Sequence, residues 1–248
     1  MSFIELKNVS KSYKNKKIYE DFSIDIETGK FISFIGSYGS GKTTILKLIA
    51  GIEDVDNGEI CINSCLPREL KKKQKIGFVF QEPMLLPWRR VLDNITLPTE
   101  FNDNKNTEKA IEMLKLVDLE EKKNNYTYEL SGGMQRIVSI LRAIMLEPEV
   151  LLMDEPLSAI DEINRDELHE KLISIHNKDK KTTILVTHSI HEAVYLSDEI
   201  YILGGSPTKI IKKVIPDNPR KFEKKFSTET MQQVSKIREE LRKAVNYA

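Results

Sequence analysis

Residues 36–43 read GSYGSGKT, a full match to G-x-x-x-x-G-K-[ST]. In that pattern Gly36, Gly39 and Gly41 let the backbone turn, so that the N–H groups along Ser37, Tyr38 and Ser40 converge on phosphate oxygens. A helix beginning near Lys42 adds the positive end of its dipole. The Lys42 ammonium is then placed for the β- and γ-phosphates, and the Thr43 hydroxyl for Mg²⁺. Downstream, VLLMDEP supplies acids. Its apolar run 150–153 reads as a buried strand, so Asp154 emerges at the strand end, where an α/β sheet binds ligands and an aspartate can hold the water shell of magnesium. Glu155, the next residue, is placed to accept a proton from an attacking water. Together these residues describe a nucleoside triphosphatase. A second glycine-rich turn, LSGGMQR at 130–136, then needs a phosphate of its own.

The elements that must position these groups can be read from the pattern. FIELKNV, FSIDI and FISFIG are short β-rich runs separated by Lys/Asn/Gly turns. The third runs into Gly36 and is followed by the helical TTILKLIAGI, giving the strand–loop–helix context that a phosphate loop requires. EICIN and IGFVF are further strands, the latter ending at Gln81. Residues from about 94 to 126 are polar, Asn/Lys-rich and helix-periodic, which marks a helical insertion. Alternation resumes with a helix over about 132–145, the strand VLLM, the charged helix INRDELHEKLISIH and the strand TTILVT. Strands alternating with helices imply a largely parallel sheet with helices on its faces. In the tail, Met231, Val234, Ile237, Leu241 and Val245 recur at helical spacing, the mark of a helix packed on the domain.

Composition removes several alternatives. Lys plus Arg number 38 and Asp plus Glu 38. The absence of net charge argues against a nucleic acid partner, which calls for a basic face. No apolar run approaches the roughly 20 residues that cross a bilayer, and MSFIELKNVSKSYKNKK lacks the apolar segment of a secretory signal. A soluble, cytoplasmic protein is expected. Cys61 and Cys65 lie close together without a second pair or a histidine cluster, so they read as ordinary thiols rather than a zinc site.

LSGGMQR closely resembles the signature of ATP-binding cassette (ABC) proteins, and the other cassette motifs follow in order across essentially the whole chain. The resemblance implies a P-loop α/β fold with an antiparallel β subdomain and a helical subdomain (about 82–145), in a single ATPase domain over 1–248 that closes with a helix at about 227–247. It implies ATP and Mg²⁺ as ligands. Tyr13, in SKSY, matches the aromatic residue that stacks on adenine, and Thr44 extends the nucleotide loop. Gln81, in FVFQE, matches the glutamine that joins the nucleotide site to the helical subdomain, with a share in catalysis and in magnesium binding beside Thr43 and Asp154. Ser158-Ala159-Ile160-Asp161 resembles the D-loop, with isoleucine where leucine is usual, and His188, in LVTHS, matches the switch histidine at the γ-phosphate. In such proteins two cassettes pack head to tail. Ser131, Gly132, Gly133 and Gln135 of one copy would then face the ATP of the other, a hydroxyl and backbone N–H groups at a helix N-terminus making a ready anion site. ATP then acts as glue, and its hydrolysis releases a homodimer.

A cassette without a membrane span works on a partner. LLPWRRVLDNI, just after Gln81, resembles ATPases of the nitrate, sulfonate and taurine importers, a group that includes suppliers of thiamine-precursor pyrimidines; VTHSIHEAVYLSDEIYIL leans the same way. The partners implied are an integral membrane permease and, through it, an extracytoplasmic solute-binding protein, with the chain peripheral on the cytoplasmic face of the membrane. Tyr38 departs from the small residue or proline usual in the loop, and its side chain is expected to point away from the phosphates. The stretch 61–75 departs from the usual glycine-containing turn. The segment beginning GGSPTKIIKKV, placed after the last strand, resembles the closing region of the same importers, and control by a long C-terminal domain is not expected. The rival class is a soluble ABC ATPase of translation, repair or iron–sulfur assembly. Against it, the chain has one cassette and no heptad run. A non-catalytic binding module would be expected to lack Lys42, Glu155 or His188, and all three are present.

Overall fold

The computed structural model describes residues 2–102, 106–158, 162–217, 219–221, 225 and 227–246. In chain order the elements are β1 (Ser2–Tyr13), β2 (Lys16–Glu27), β3 (Phe31–Gly36), α1 (Lys42–Ile49), β4 (Asn57–Ile62), α2 (Pro67–Lys72), β5 (Ile76–Val79), α3 (Val91–Thr96), α4 (Thr107–Leu116) and α5 (Gly132–Ile144). They continue with β6 (Val150–Asp154), α6 (Glu162–Asp179), β7 (Thr182–Val186), α7 (Ile190–Leu196), β8 (Glu199–Gly204), β9 (Lys209–Val214) and α8 (Thr228–Asn246). Among the described residues no helix is long and apolar enough to cross a membrane. The chain divides into two compact units, residues 1–73 with 182–248, and residues 74–181.

The first unit holds two sheets. One is antiparallel in the order β2-β1-β4, with Ile4 opposite Ile26 and Ile62, and Leu6 opposite Ile24 and Ile60. Along β2, Phe22, Ile24 and Ile26 are buried while Ser23, Asp25 and Glu27 are exposed. This period of two is the signature of a sheet with one solvated face. The other sheet runs β7-β3-β8-β9, parallel except for its last strand. Every residue of β7 and β8 is buried, as is all of β3 before Gly36, as expected of strands covered on both faces. On one face Ile35, Ile200 and Ile202 pack with Ala193 and Val194 of α7 and with Val234 and Ile237 of α8. The helical spacing in the tail therefore selects Val234, Ile237 and the flanking Leu241 for the core, whereas Met231 stays 38% exposed.

Two elements differ from the sequence reading. The segment placed after the last strand contains β9, antiparallel to β8. Its KIIKKV lacks clean alternation because it is the last strand of its sheet. Lys213 reaches Glu199 (2.8 Å) and Lys212 reaches Glu240 (3.2 Å), and lysines on such a strand discourage pairing with another chain. The lysine-rich stretch before Gln74 contains α2, started by Pro67 at the first helical position and by Glu69, whose carboxylate accepts the Leu66 N–H (3.2 Å).

The second unit pairs β5 and β6 in parallel, Ile76 opposite Val150 and Val79 opposite Met153. β6 is buried throughout. Helix α5 turns Ile137, Val138, Ile140, Leu141 and Ile144 into the interior. The insertion expected at about 94–126 is built from α3, α4 and short 3₁₀ turns.

Candidate functional site

In the first unit the phosphate loop leaves β3 at Gly36 and enters α1 at Lys42. A Cβ on Gly36 would lie 2.6 Å from the Leu203 carbonyl oxygen and 2.7 Å from Ser40 Oγ, so only glycine fits beside β8. Gly39 and Gly41 have φ of 80° and 75°, a region that side chains rarely adopt. Ser40 donates to the Ser37 carbonyl through both N–H (3.3 Å) and Oγ (2.8 Å), closing the turn. Lys42 is buried and its Nζ donates to the Gly36 (3.0 Å) and Ser37 (2.8 Å) carbonyls and to Ser40 Oγ (3.4 Å). An ammonium at the centre of a ring of loop atoms, at a helix N-terminus with left-handed glycines, fits a phosphate chain. Thr43 lies at the start of α1 with its residue exposed. Tyr38 is fully exposed at the tip of the loop.

Two residues unassigned in the sequence brace this loop. Tyr19 donates its hydroxyl to the Gly41 carbonyl (3.0 Å), and Thr208 donates to the Ser40 carbonyl (3.3 Å). Tyr19 is a buried aromatic of β2 and Thr208 precedes β9; neither stands near the motif in sequence, so no local signal marks them. A Cβ at Gly41 would meet Ile18 Cγ2 at 2.7 Å and Tyr19 OH at 2.9 Å, whereas a Cβ at Gly39 meets nothing within 4 Å. Gly41→Ala is therefore expected to lower stability by about 1–3 kcal/mol, a fall of several degrees in thermal midpoint, and Gly39→Ala by the smaller strain of its backbone alone. Differential scanning calorimetry of the two variants checks the order.

Tyr13 ends β1 and is 40% exposed. Its hydroxyl hydrogen-bonds the Glu53 carboxylate, Thr44 is a second partner, and Lys11 Nζ lies 5.5 Å from the ring centroid. Burial and then the Glu53 contact push the phenol up to about 12, so it stays neutral. β7 pairs with β3 so that Phe34 faces Val186. Gly36 and His188 therefore follow their strands at the same carboxyl edge, each two residues beyond that pair, and His188 is exposed there.

In the second unit the β5–β6 register puts Gln81 and the pair Asp154, Glu155 at one carboxyl edge. Gln81 is exposed, Asp154 is 8% exposed and Glu155 is half-buried. Glu155 has φ of 47°, a left-handed turn that costs a non-glycine residue about 1–2 kcal/mol. The Ser158 N–H donates to the Glu155 carbonyl (3.1 Å), closing the turn. Ser131 caps α5, its Oγ accepting the Met134 N–H (3.3 Å). Ser131 and Gly132 are exposed, and nothing lies within 4 Å of a Cβ built on Gly132. Gln135, also assigned to the partner copy's ATP in the sequence, turns inward: its Nε2 donates to the Thr127 (3.0 Å) and Leu130 (3.2 Å) carbonyls. Ala159, Ile160 and Asp161 of the D-loop lie outside the described residues.

Beyond Gln81, Met84 and Trp88 are 59% and 71% exposed. Buried Asn94 fixes their loop, accepting the Leu86 N–H (2.8 Å) and donating to the Leu86 (3.1 Å), Arg89 (3.2 Å) and Arg90 (3.1 Å) carbonyls.

The sequence profile described as ABC transporter matches residues 19–158. The aliphatic sulfonates import ATP-binding protein SsuB of Bacillus cereus is 38% identical over 230 residues, 93% of this chain and 90% of that protein. The taurine import ATP-binding protein TauB of Rhizobium johnstonii is 35% identical over 226 residues, 89% and 86% of the two chains. Among solved structures, a dimeric post-hydrolysis state of an ATP-binding cassette bound to ADP and Pi superposes with a TM-score of 0.75 at 30% identity, covering 87% of this chain and 99% of that one. The protein is a member of the ABC transporter family, an ATPase that uses ATP with Mg²⁺.

Proposed function

We propose that the chain is the ATP-hydrolysing subunit of an importer for sulfonate-bearing solutes, working as a homodimer on the cytoplasmic face of the membrane beneath a separate permease. The observation that carries this reading is the similarity over nine-tenths of the chain to proteins named for aliphatic sulfonate and taurine import, two solute classes that share the sulfonate group. The exposed Trp88 and Met84, on a loop fixed by Asn94, are the surface offered to the permease. An extracytoplasmic binding protein acts on the permease from the other side.

In this reading the loop at Gly36, Ser37, Tyr38, Gly39, Ser40 and Gly41, with Lys42, Thr43 and Thr44, holds the triphosphate, and Tyr13 stacks on adenine. Thr43, Asp154 and Gln81 would hold magnesium, which would supply charge screening for the triphosphate. Glu155 takes the proton of the attacking water, and His188 contacts the γ-phosphate. Ser131, Gly132 and Gly133 serve the second copy's ATP. Gln135 belongs to the same set, on a turn that its Nε2 ties to the Thr127 and Leu130 carbonyls. Asp161 belongs to the D-loop. The single domain over 1–248, with its helical part at about 82–145 and closing helix at about 227–247, is one cassette.

A tagged Glu155→Gln variant, drawn from detergent-solubilised membranes with ATP present, is expected to bring down a polytopic membrane protein in stoichiometric amount. Ribosomes or soluble assembly factors in its place would leave the ATP chemistry standing and remove the transport assignment.

A further inference from the structure

The last residue of the LSGGMQR turn has no part in the roles given so far. Arg136 lies on the first turns of α5, and its Nη1 donates to the Gln81 carbonyl (2.7 Å) and to the Pro156 carbonyl (2.9 Å). The geometry points to Arg136 as a positioning residue for ATP hydrolysis, a clamp that ties the turn after β5 and the strained turn of Glu155 to the helix begun by Ser131.

Three observations carry this. Glu155 holds a left-handed backbone that surrounding contacts must over-determine. Of the two residues that follow, Pro156 has no N–H to contribute and Leu157 is 2% exposed, so the Pro156 carbonyl is the polar handle there, and Arg136 holds it. The same nitrogen holds the Gln81 carbonyl, so the spacing between the two turns is set by one planar, permanently charged group. Arg142, two turns further along α5, repeats the device on the Met84 (2.8 Å) and Pro83 (3.0 Å) carbonyls.

This inference rests on Glu155 being the base, and its test separates the two. Arg136→Ala is expected to lower kcat about 10- to 100-fold, the range for a base displaced by about an ångström, with KM for ATP within about twofold. Arg136→Lys, which keeps the charge without the planar fork, falls between and keeps the test decidable if the alanine variant fails to fold. In a Glu155→Gln background Arg136→Ala adds no further loss, because Arg136 acts through Glu155. Hydrogen exchange at the Leu157 and Ser158 amides quickens in Arg136→Ala, while that of Thr43 and Thr44 is unchanged. A full additional loss of turnover in the Glu155→Gln background, or unaltered exchange at residues 157–158, overturns the clamp. Brisk hydrolysis by Glu155→Gln alone overturns the base instead, and the exchange measurement still decides whether Arg136 holds the turn.

Discussion

Glu155→Gln is expected to lower turnover by about 10²–10⁴-fold, the share that a positioned general base contributes, while leaving ATP binding nearly intact. Glutamine keeps the length and hydrogen-bonding shape of the side chain and removes only the capacity to take a proton. The fold has little reason to object. The turn around residue 155 is closed by backbone, through the Ser158 N–H on the Glu155 carbonyl. The residues expected to bind the triphosphate lie on the other unit, on the loop after β3. Phosphate release under single-turnover conditions, read beside retention of labelled ATP on a desalting column, measures both halves of the expectation. The variant should hold ATP and stall. Hydrolysis near the wild-type rate would remove Glu155 from its role.

What the sequence disclosed follows from where each signal is written. The phosphate loop is local: a turn of glycines, a lysine and a helix start, all within residues 36–43, and its geometry is compressed into that spacing. Strands buried on both faces announce themselves as apolar or β-branched runs, unbroken in TTILV and interrupted only by the buried Ser33 in FISFI. The strand β9 was hidden because its lysines answer to acids at Glu199 and Glu240, contacts that no window of sequence contains. The braces Tyr19 and Thr208 were hidden for the same reason, since each meets the phosphate loop through the tertiary fold, 22 residues away for Tyr19 and 168 for Thr208. The hold of Gln135 on its own turn was hidden likewise: its amide nitrogen donates to the Thr127 and Leu130 carbonyls, a contact that depends on helix phase rather than on the motif's spelling.

Ser131→Arg is the second large effect expected: turnover abolished, with ATP binding to the isolated chain nearly unchanged. Loss of the cap to Met134 costs about 1 kcal/mol of helix stability, too little to unfold a domain. The exposure of Ser131 and the open space around Gly132 give the longer side chain somewhere to go. What it cannot do is leave the N-terminus of α5 free to receive a phosphate from a second copy. Ser131→Asp separates the two functions of the serine. Its carboxylate caps the helix as well as the hydroxyl does, and its charge suits the positive end of the dipole, yet the same charge repels a γ-phosphate. The aspartate variant should therefore melt at or above the wild-type temperature while failing to turn over, and in a Glu155→Gln background both variants should remain monomeric with ATP on a sizing column. If Ser131→Arg instead hydrolysed ATP at close to the wild-type rate, the second glycine turn would have no phosphate to hold, and the head-to-tail pairing would fall with it.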